Sequence, residues 1–522
     1  MNNQDSLSHV IVVGGGTAGW ITAGILAKRF DCANNQSMRV SLVESPNIPI
    51  LGVGEGTWPT IRNTLQSLGI SETEFIRNCD GTFKQGSEFV NWVHTPKDGE
   101  KSSYYHPLNS VYHSAYDFNL AAYWLLQDSE NRQSYDFATA SQAHICSVFK
   151  APKKITTPEF SALQNYSYHL DANKFARFMH EHCVNKLGVE YISADVLRAN
   201  IDNDGYISSL QTEQVGTISG DFFVDCTGSR ALLLGETLGV AYQSIKDVIF
   251  NDRAIATHVP YENDDSPIAS NTIATAHQNG WTWDIGLSER RGVGIVYSAD
   301  HTSEAEAELT LKSYIGAQAD SLSYRGLQFE SGYREKFWKK NCVAIGMSAA
   351  FIEPLEASAI FLVEAAANML AEQFPSTRDD LKYVSEQYND IFRLRWDKTV
   401  DFVKLHYCIT KRRDSDYWID NCAVNSIPES LQDKLKHWQS HLPSKYDFDY
   451  AFEPFVLDSY LFVLYGMQFQ TKVKYISNRL TEWEKAKYMF DQVQSVANKL
   501  NQELPTHRQL LNQVKEYGFS TI

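Results

Sequence analysis

Residues 10–20 read VIVVGGGTAGW, an apolar strand that runs straight into Gly14-x-Gly16-x-x-Gly19. The spacing gives each glycine a separate role. Gly14 turns the chain sharply, Gly16 lets a pyrophosphate approach the backbone, and Gly19 packs helix on strand. A helix from about Gly19 to Phe30 then aims its first amides at that phosphate. The next strand, Arg39 to Val43, ends in Glu44, where an acidic side chain accepts hydrogen bonds from an adenosine ribose. Strand, glycines, helix and acidic end in this order predict a dinucleotide site.

Later segments favour FAD over NAD. Leu187 to Ile192, followed by Ala194 to Val196, reads as a strand pair leading to a buried edge, and Asp221 to Gly228 as a buried strand. Cys342 to Ala350 returns a strand to small residues with room for an isoalloxazine. The predicted class is α/β: a Rossmann-like, FAD-binding flavoprotein monooxygenase fold with two dinucleotide-binding halves, mixed sheets and a mainly helical C-terminal part.

At 522 residues the chain exceeds one ordinary core. We expect a discontinuous FAD-binding core over 1–375 and a mainly helical, substrate-side subdomain over 376–522. A net charge of −16 with no basic block argues against nucleic acid and anionic membrane as partners. No apolar run approaches the ~18 residues of a spanning helix. The polar start, Met1 to Ser8, passes directly into the first strand, which predicts no signal peptide. Eight cysteines without a Cys-x-x-Cys pair suit reduced thiols, and with them a cytoplasmic location.

Gly52 to Pro59 (GVGEGTWP) leads into a helix with Ile61, Leu65 and Leu68 on one face. Around Lys84 the stretch GTFKQGSEFVNW alternates like one strand, with Lys84, Val90 and Trp92 on one face and Phe83 and Phe89 on the other. A lysine sharing a face with Val and Trp is partly desolvated, which lowers its pKa; an ordinary solvated strand lysine fits the pattern equally well. Tyr104 to Leu108 reads as a pocket-lining loop. His180-Glu181-His182 lacks metal-ligand spacing on a helix and reads as a solvated face. Trp281, Trp283 and Ile285 alternate on one strand face, where two indoles wall a passage or simply pack a core, and Gly292 to Ser298 is the natural hairpin partner. Phe351 to Ile360 opens an apolar helix running through Ala371, whose first amides make an anion site without charged side chains. Past Gln373 the chain is mostly helical.

Together, Gly14 to Trp20, Gly52 to Pro59, Gly81 to Lys84, Trp281-x-Trp283-x-Ile285 and Phe351-x-Glu353-Pro354-Leu355-Glu356 make the chain resemble the flavin-dependent tryptophan halogenases over most of its length. The resemblance implies reduced FAD (FADH2), delivered by a separate NAD(P)H-dependent flavin reductase, with O2 and chloride or bromide as co-substrates. Hypohalous acid formed at the flavin then travels to Lys84, which holds the oxidant and presents it to an electron-rich ring. Glu356 orients the oxidant or takes the ring proton.

Cofactor contacts are implied at Gly14, Gly16, Thr17, Ala18, Gly19 and Glu44, and further at Val53, Gly54, Val196, Met347 and Ile360. Backbone amides near Ser358 and Ala359 are implied to hold the halide, and Trp281 and Trp283 to keep substrate from the flavin. No metal is implied, and a homodimer is open. The chain departs from the family pattern at Gly286, where a Pro is usual, and at Ala357 and Ala359, where Ser and Gly are more common.

Tryptophan-specific members grip the amino acid with a C-terminal segment. Here it carries Ala451 and Val456 where a glutamate and a tryptophan align, and Leu108 replaces a stacking aromatic while His106 remains. A site without ionic partners does not strongly favour a zwitterion, so indole or a simple indole-like arene is expected. The rival readings are a flavin monooxygenase that hydroxylates or epoxidises, and a non-catalytic flavin-binding protein.

Overall fold

The computed structural model describes residues 6–35, 37–48, 52, 54–97, 100–449 and 451–520, with the backbone alone for 474–476. By internal contact the chain divides into two units of three segments each. The first comprises Met1–Asp80, Leu170–Ile245 and Glu330–Trp396; the second comprises Gly81–His169, Lys246–Phe329 and Asp397–Ile522. The boundary expected after residue 375 thus falls inside a segment of the first unit. The change of unit comes at Trp396/Asp397, within the helix Leu381–Cys408.

The first unit is built on a six-stranded sheet. Its order from one edge is Trp338–Lys339, Cys342–Ala344, Phe222–Asp225, His9–Val13, Arg39–Glu44, Glu190–Ser193. All neighbours are parallel except the first pair. The central strands read as unbroken apolar runs because helices cover both faces of a parallel sheet, and Val10, Ile11 and Val12 are fully buried. The helix Thr17–Phe30 closes the first βαβ unit, and the helices Ala172–Leu187 and Ala359–Glu372 pack against it.

Two expectations fail here. Glu190–Ser193 is an exposed edge strand rather than a buried one, and the chain then leaves for a separate antiparallel sheet at Val196–Ile201. The apolar helix begins at Ala359, eight residues after Phe351, because the chain turns through Pro354 and Ala357 takes φ 53°, which no right-handed helix contains.

The second unit is built on a seven-stranded sheet. Its order is Arg325–Gln328, Arg253–Pro260, Arg290–Tyr297, Gly280–Gly286, Thr272–His277, Gly86–Val90, Ser103–Pro107. Only Thr272–His277 and Gly86–Val90 run parallel. The expected hairpin of Gly280–Gly286 with its successor is present, with Trp283 opposite Gly294. Helix Glu304–Ile315, opened by a Ser303/Glu306 capping box, lays Ala307 and Leu311 on Ile255, Val293 and Ile295.

The single strand expected around Lys84 is two. Thr82–Lys84 pairs with Ser167–Leu170, whereas Gly86–Val90 joins the large sheet, and Gly86 (φ 157°) takes the bend between them. The alternation also ends at Val90, where Asn91 takes φ 62°, and the Phe89 and Trp92 rings, expected on opposite faces, meet edge to face at 5.7 Å. The Tyr104–Leu108 loop is corrected to the edge strand Ser103–Pro107. His180, expected on a solvated face, is half-buried and stacks on Trp20 at 4.6 Å, while Glu181 is exposed. No helix among the described residues is long and apolar enough to cross a membrane.

Candidate active site

At the dinucleotide end of the first unit, the three spaced glycines differ in what a side chain would meet. A Cβ on Gly14 (φ 115°) would stand 2.2 Å from the Cys226 carbonyl oxygen, and one on Gly19 only 1.8 Å from that of Gly14. A Cβ on Gly16 would meet nothing within 4 Å. Gly14 and Gly19 are therefore required by the protein's own packing, while Gly16 borders open space at the start of the helix Thr17–Phe30. The first-turn amides, including those of Thr17, Ala18 and Gly19, have no carbonyl four residues back to bond, and that turn carries no acidic side chain.

Beside it, Glu44 lies against Gly15, whose Cβ would come 2.1 Å from its Cδ. Burial raises the Glu44 carboxyl, and a hydrogen bond from Tyr191 opposes the rise. Gly346 (φ 76°) approaches Ala18, its Cβ position 2.7 Å away, which brings the Gly346–Ser348 turn and the half-exposed Met347 to the helix start. This cradle fits the diphosphate and ribose of a dinucleotide. Val196 sits half-buried at the head of its strand, and Gly54 takes φ 111°. Val53 lies outside the described residues.

The Glu356 segment is held from the same unit. Trp58 donates its indole N–H to the Glu356 carbonyl at 2.9 Å and stacks on Phe361 at 4.5 Å. Thr60 donates to Glu364 at 2.8 Å, and Thr64 donates to the other carboxylate oxygen. Glu356 is 5% exposed, Ser358 and Ile360 are buried, and Ala359 is exposed. Ser358 occupies the N-cap of Ala359–Glu372 without a side-chain cap, and no acid lies in that first turn. Amides are therefore available to an anion there.

In the second unit, Lys84 is 2% exposed and directly opposite Ser167. Its strand is fastened on both sides: Thr82 donates to the Gly286 carbonyl at 2.6 Å, and the Phe83 amide donates to His507 Nε2 at 2.9 Å. Gly286, the departure from Pro, has a packing reason, since a Cβ there would come 2.8 Å from Ile268 and 3.1 Å from the Tyr261 hydroxyl. Leu108 donates its amide to the Gln85 carbonyl, next in chain to Lys84, and His106 stands opposite Ser87.

Trp281 and Trp283 lie edge to face at 6.4 Å, and Trp281 also meets Trp92 at 6.2 Å. The buried Trp281 indole N–H finds no acceptor among the described residues. The His106 ring stands 5.8 Å from Phe402, on which Phe455 stacks at 3.8 Å. Val456, half-buried, follows Phe455 at the cap of helix Leu457–Gly466, whereas Ala451 is exposed. The structure thus gathers Lys84 with Leu108 and His106 with the Phe455–Val456 turn, and leaves Ala451 at the surface.

The family model for tryptophan halogenases matches residues 9–480. The chain belongs to the tryptophan halogenase family. A crystal structure of a tryptophan halogenase from Shewanella frigidimarina is 44% identical, superposes with a TM-score of 0.95 and covers 99% of each chain. A 7-chloro-L-tryptophan 6-halogenase from a Kutzneria species is 32% identical over 97% of this chain and 99% of its own length. A solved flavin-dependent tryptophan C-6 halogenase (a chlorinase) from taromycin biosynthesis is 31% identical, with a TM-score of 0.88, covering 97% of this chain and 100% of that one. This halogenase is an enzyme with the FAD-binding fold of its flavin-dependent relatives.

Sequence reasoning missed Trp58, Thr60, Thr64 and Glu364 as supports of the Glu356 segment, and His169 as a neighbour of Lys84. Glu364 alone left a trace, as the one charge inside an apolar helix.

Proposed function

We propose that this halogenase uses reduced FAD, O2 and chloride or bromide to halogenate an electron-rich arene, indole or a simple indole derivative, with Lys84 carrying the halogen. Bound FAD, reduced by a separate NAD(P)H-dependent reductase, supplies the oxidation of halide to hypohalous acid. Gly14, Gly16, Thr17, Ala18, Gly19 and Glu44 would hold its adenosine diphosphate. Val53, Gly54, Val196, Met347 and Ile360 would complete its site, and the amides at Ser358 and Ala359 would hold the halide.

The observation that carries the reading is an amine that is 2% exposed, on a strand pair anchored on both sides. Burial keeps the amine from bulk water, and in its unprotonated form it is the nucleophile the reaction needs. Its nitrogen attacks the electropositive halogen of the hypohalous acid; an N–X bond forms, the O–X bond breaks, and the oxygen leaves as water with a proton from the amine. The N–X bond then breaks as the arene takes the halogen, and Glu356 accepts the displaced ring proton, which returns to the amine. Trp281 and Trp283 screen substrate from the flavin.

The relatives are named for tryptophan. Indole is preferred here because the half-buried Val456 and Leu108 offer no charge to an ammonium or carboxylate. Purified protein with FAD, a reductase, NADH, bromide and indole should give a brominated product by mass spectrometry, lost without bromide and in Lys84→Ala. An oxygenated product independent of halide would sink the reading. Equal or better turnover of tryptophan would overturn the indole preference alone.

A further inference from the structure

The pairing of Thr82–Lys84 with Ser167–Leu170 places a second functional group beside the amine. Lys84 is opposite Ser167 and Thr82 is opposite His169. Residues two apart on a strand share a face, so His169 is the diagonal neighbour of Lys84, at the about 7–8 Å spacing that a long side chain bridges.

His169 is 0% exposed. One ring nitrogen, Nε2, lies 2.8 Å from Thr272 Oγ1, and the other, Nδ1, is buried with no hydrogen-bond partner among the described residues. A buried polar atom in that state calls for a partner. An amine at the end of a long stem on the same face supplies one, since an ammonium is donor only and a neutral imidazole nitrogen accepts.

We propose that His169 is the positioning residue of Lys84: Nε2–H donates to Thr272, and Nδ1 accepts a hydrogen bond from Lys84 Nζ, aiming the amine at the incoming oxidant. Burial first, then the charge of Lys84, then that of His507 hold the His169 imidazole well below its usual pKa, so it stays an acceptor at neutral pH. His507, the other titratable group facing it, is itself lowered to about 4 by burial and is neutral in the same range. The inference rests on the role given to Lys84 above.

The test compares wild type, His169→Leu and His169→Gln. In His169→Leu the indole bromination kcat should fall about 10–100-fold, the loss expected when a reacting group is displaced by about 1 Å. The KM for indole and the hypobromite released without arene should stay unchanged. The titration midpoint of Lys84, read by NMR of lysine labelled with carbon-13 at Cε, should move down, because an acceptor favours the ammonium. His169→Gln, which keeps an acceptor, should restore most of both readouts.

An unchanged kcat and Lys84 midpoint in His169→Leu overturn the proposal. A measurement without substitution guards against misfolding: nitrogen-15 histidine spectra should show Nδ1 of His169 unprotonated, and a protonated Nδ1 overturns the proposal equally. Absence of any halide-dependent product from wild type removes the halogenase reading, while the Lys84 and His169 spectra still decide this one.

Discussion

The Trp58 indole N–H is bonded to the backbone carbonyl of Glu356 at 2.9 Å, so a residue of the glycine-rich Gly52 to Pro59 element holds the proposed proton acceptor in place. The same ring lies nearly parallel to Phe361, with 20° between planes. Trp58→Phe keeps the stacking and deletes the donor. We expect about 1 kcal/mol of lost stability in chemical denaturation and a several-fold lower halogenation kcat, with FAD affinity measured by fluorescence unchanged. A kcat equal to wild type would show that the bond does not set the position of Glu356.

The glycines of the dinucleotide motif should separate by phenotype. Gly16→Ala adds a methyl into open space, so the apoprotein should melt like wild type while FAD titration shows affinity reduced by about tenfold or more where the pyrophosphate needs that space. Gly19→Ala forces a methyl to 1.8 Å from a carbonyl oxygen and should destabilise the apoprotein itself. Equal apoprotein stability of the two variants would contradict the packing described.

Glu364 gives a signed pH dependence. Burial pushes its carboxyl up to about 7, opposed by the Thr64 and Thr60 hydroxyls. A folded-state pKa raised above the unfolded value means that the native state binds more protons through the window, so stability is present at low pH and is lost as pH rises from about 4.5 to about 7. Glu364→Gln keeps the hydroxyl partners and removes the titration. Urea unfolding across that window should show wild type losing on the order of 3 kcal/mol more than the variant. Parallel pH profiles for the two proteins would refute the assignment.

Lys434 and Glu453 form an ion pair with its ammonium 4.6 Å from the Phe448 ring centre and 3.8 Å from the carboxylate. Burial depresses the Lys434 pKa, which Glu453 partly restores. Lys434→Met strands Glu453 and should cost about 3–5 kcal/mol, whereas Lys434→Met with Glu453→Leu should recover most of it. A double variant as unstable as the single one would show that apolar packing cannot replace the pair.

The dinucleotide half was legible because its signals are contiguous: apolar strand, glycines, helix and Glu44 lie within residues 10–44, and the structure places them in one parallel βαβ unit. The Trp281/Trp283 hairpin was legible for the same reason. Around Lys84 alternation predicts one strand because it says nothing of a change of sheet, whereas Gly86 bends the chain between two. Apolar content places the start of the helix after Phe351 too early because it does not show that Ala357 adopts a left-handed conformation.

By itself, then, the sequence determined the chemistry-bearing motifs and the cradle for a dinucleotide, since these depend on neighbours a few residues apart. Only the tertiary structure decided that Lys84 is buried beside His169, that Trp58 bonds Glu356, and that Gly286 stands where a side chain would strike Ile268. Burial and partner choice are set by segments about 80 to 300 residues away, and local periodicity carries no information about which of them will arrive.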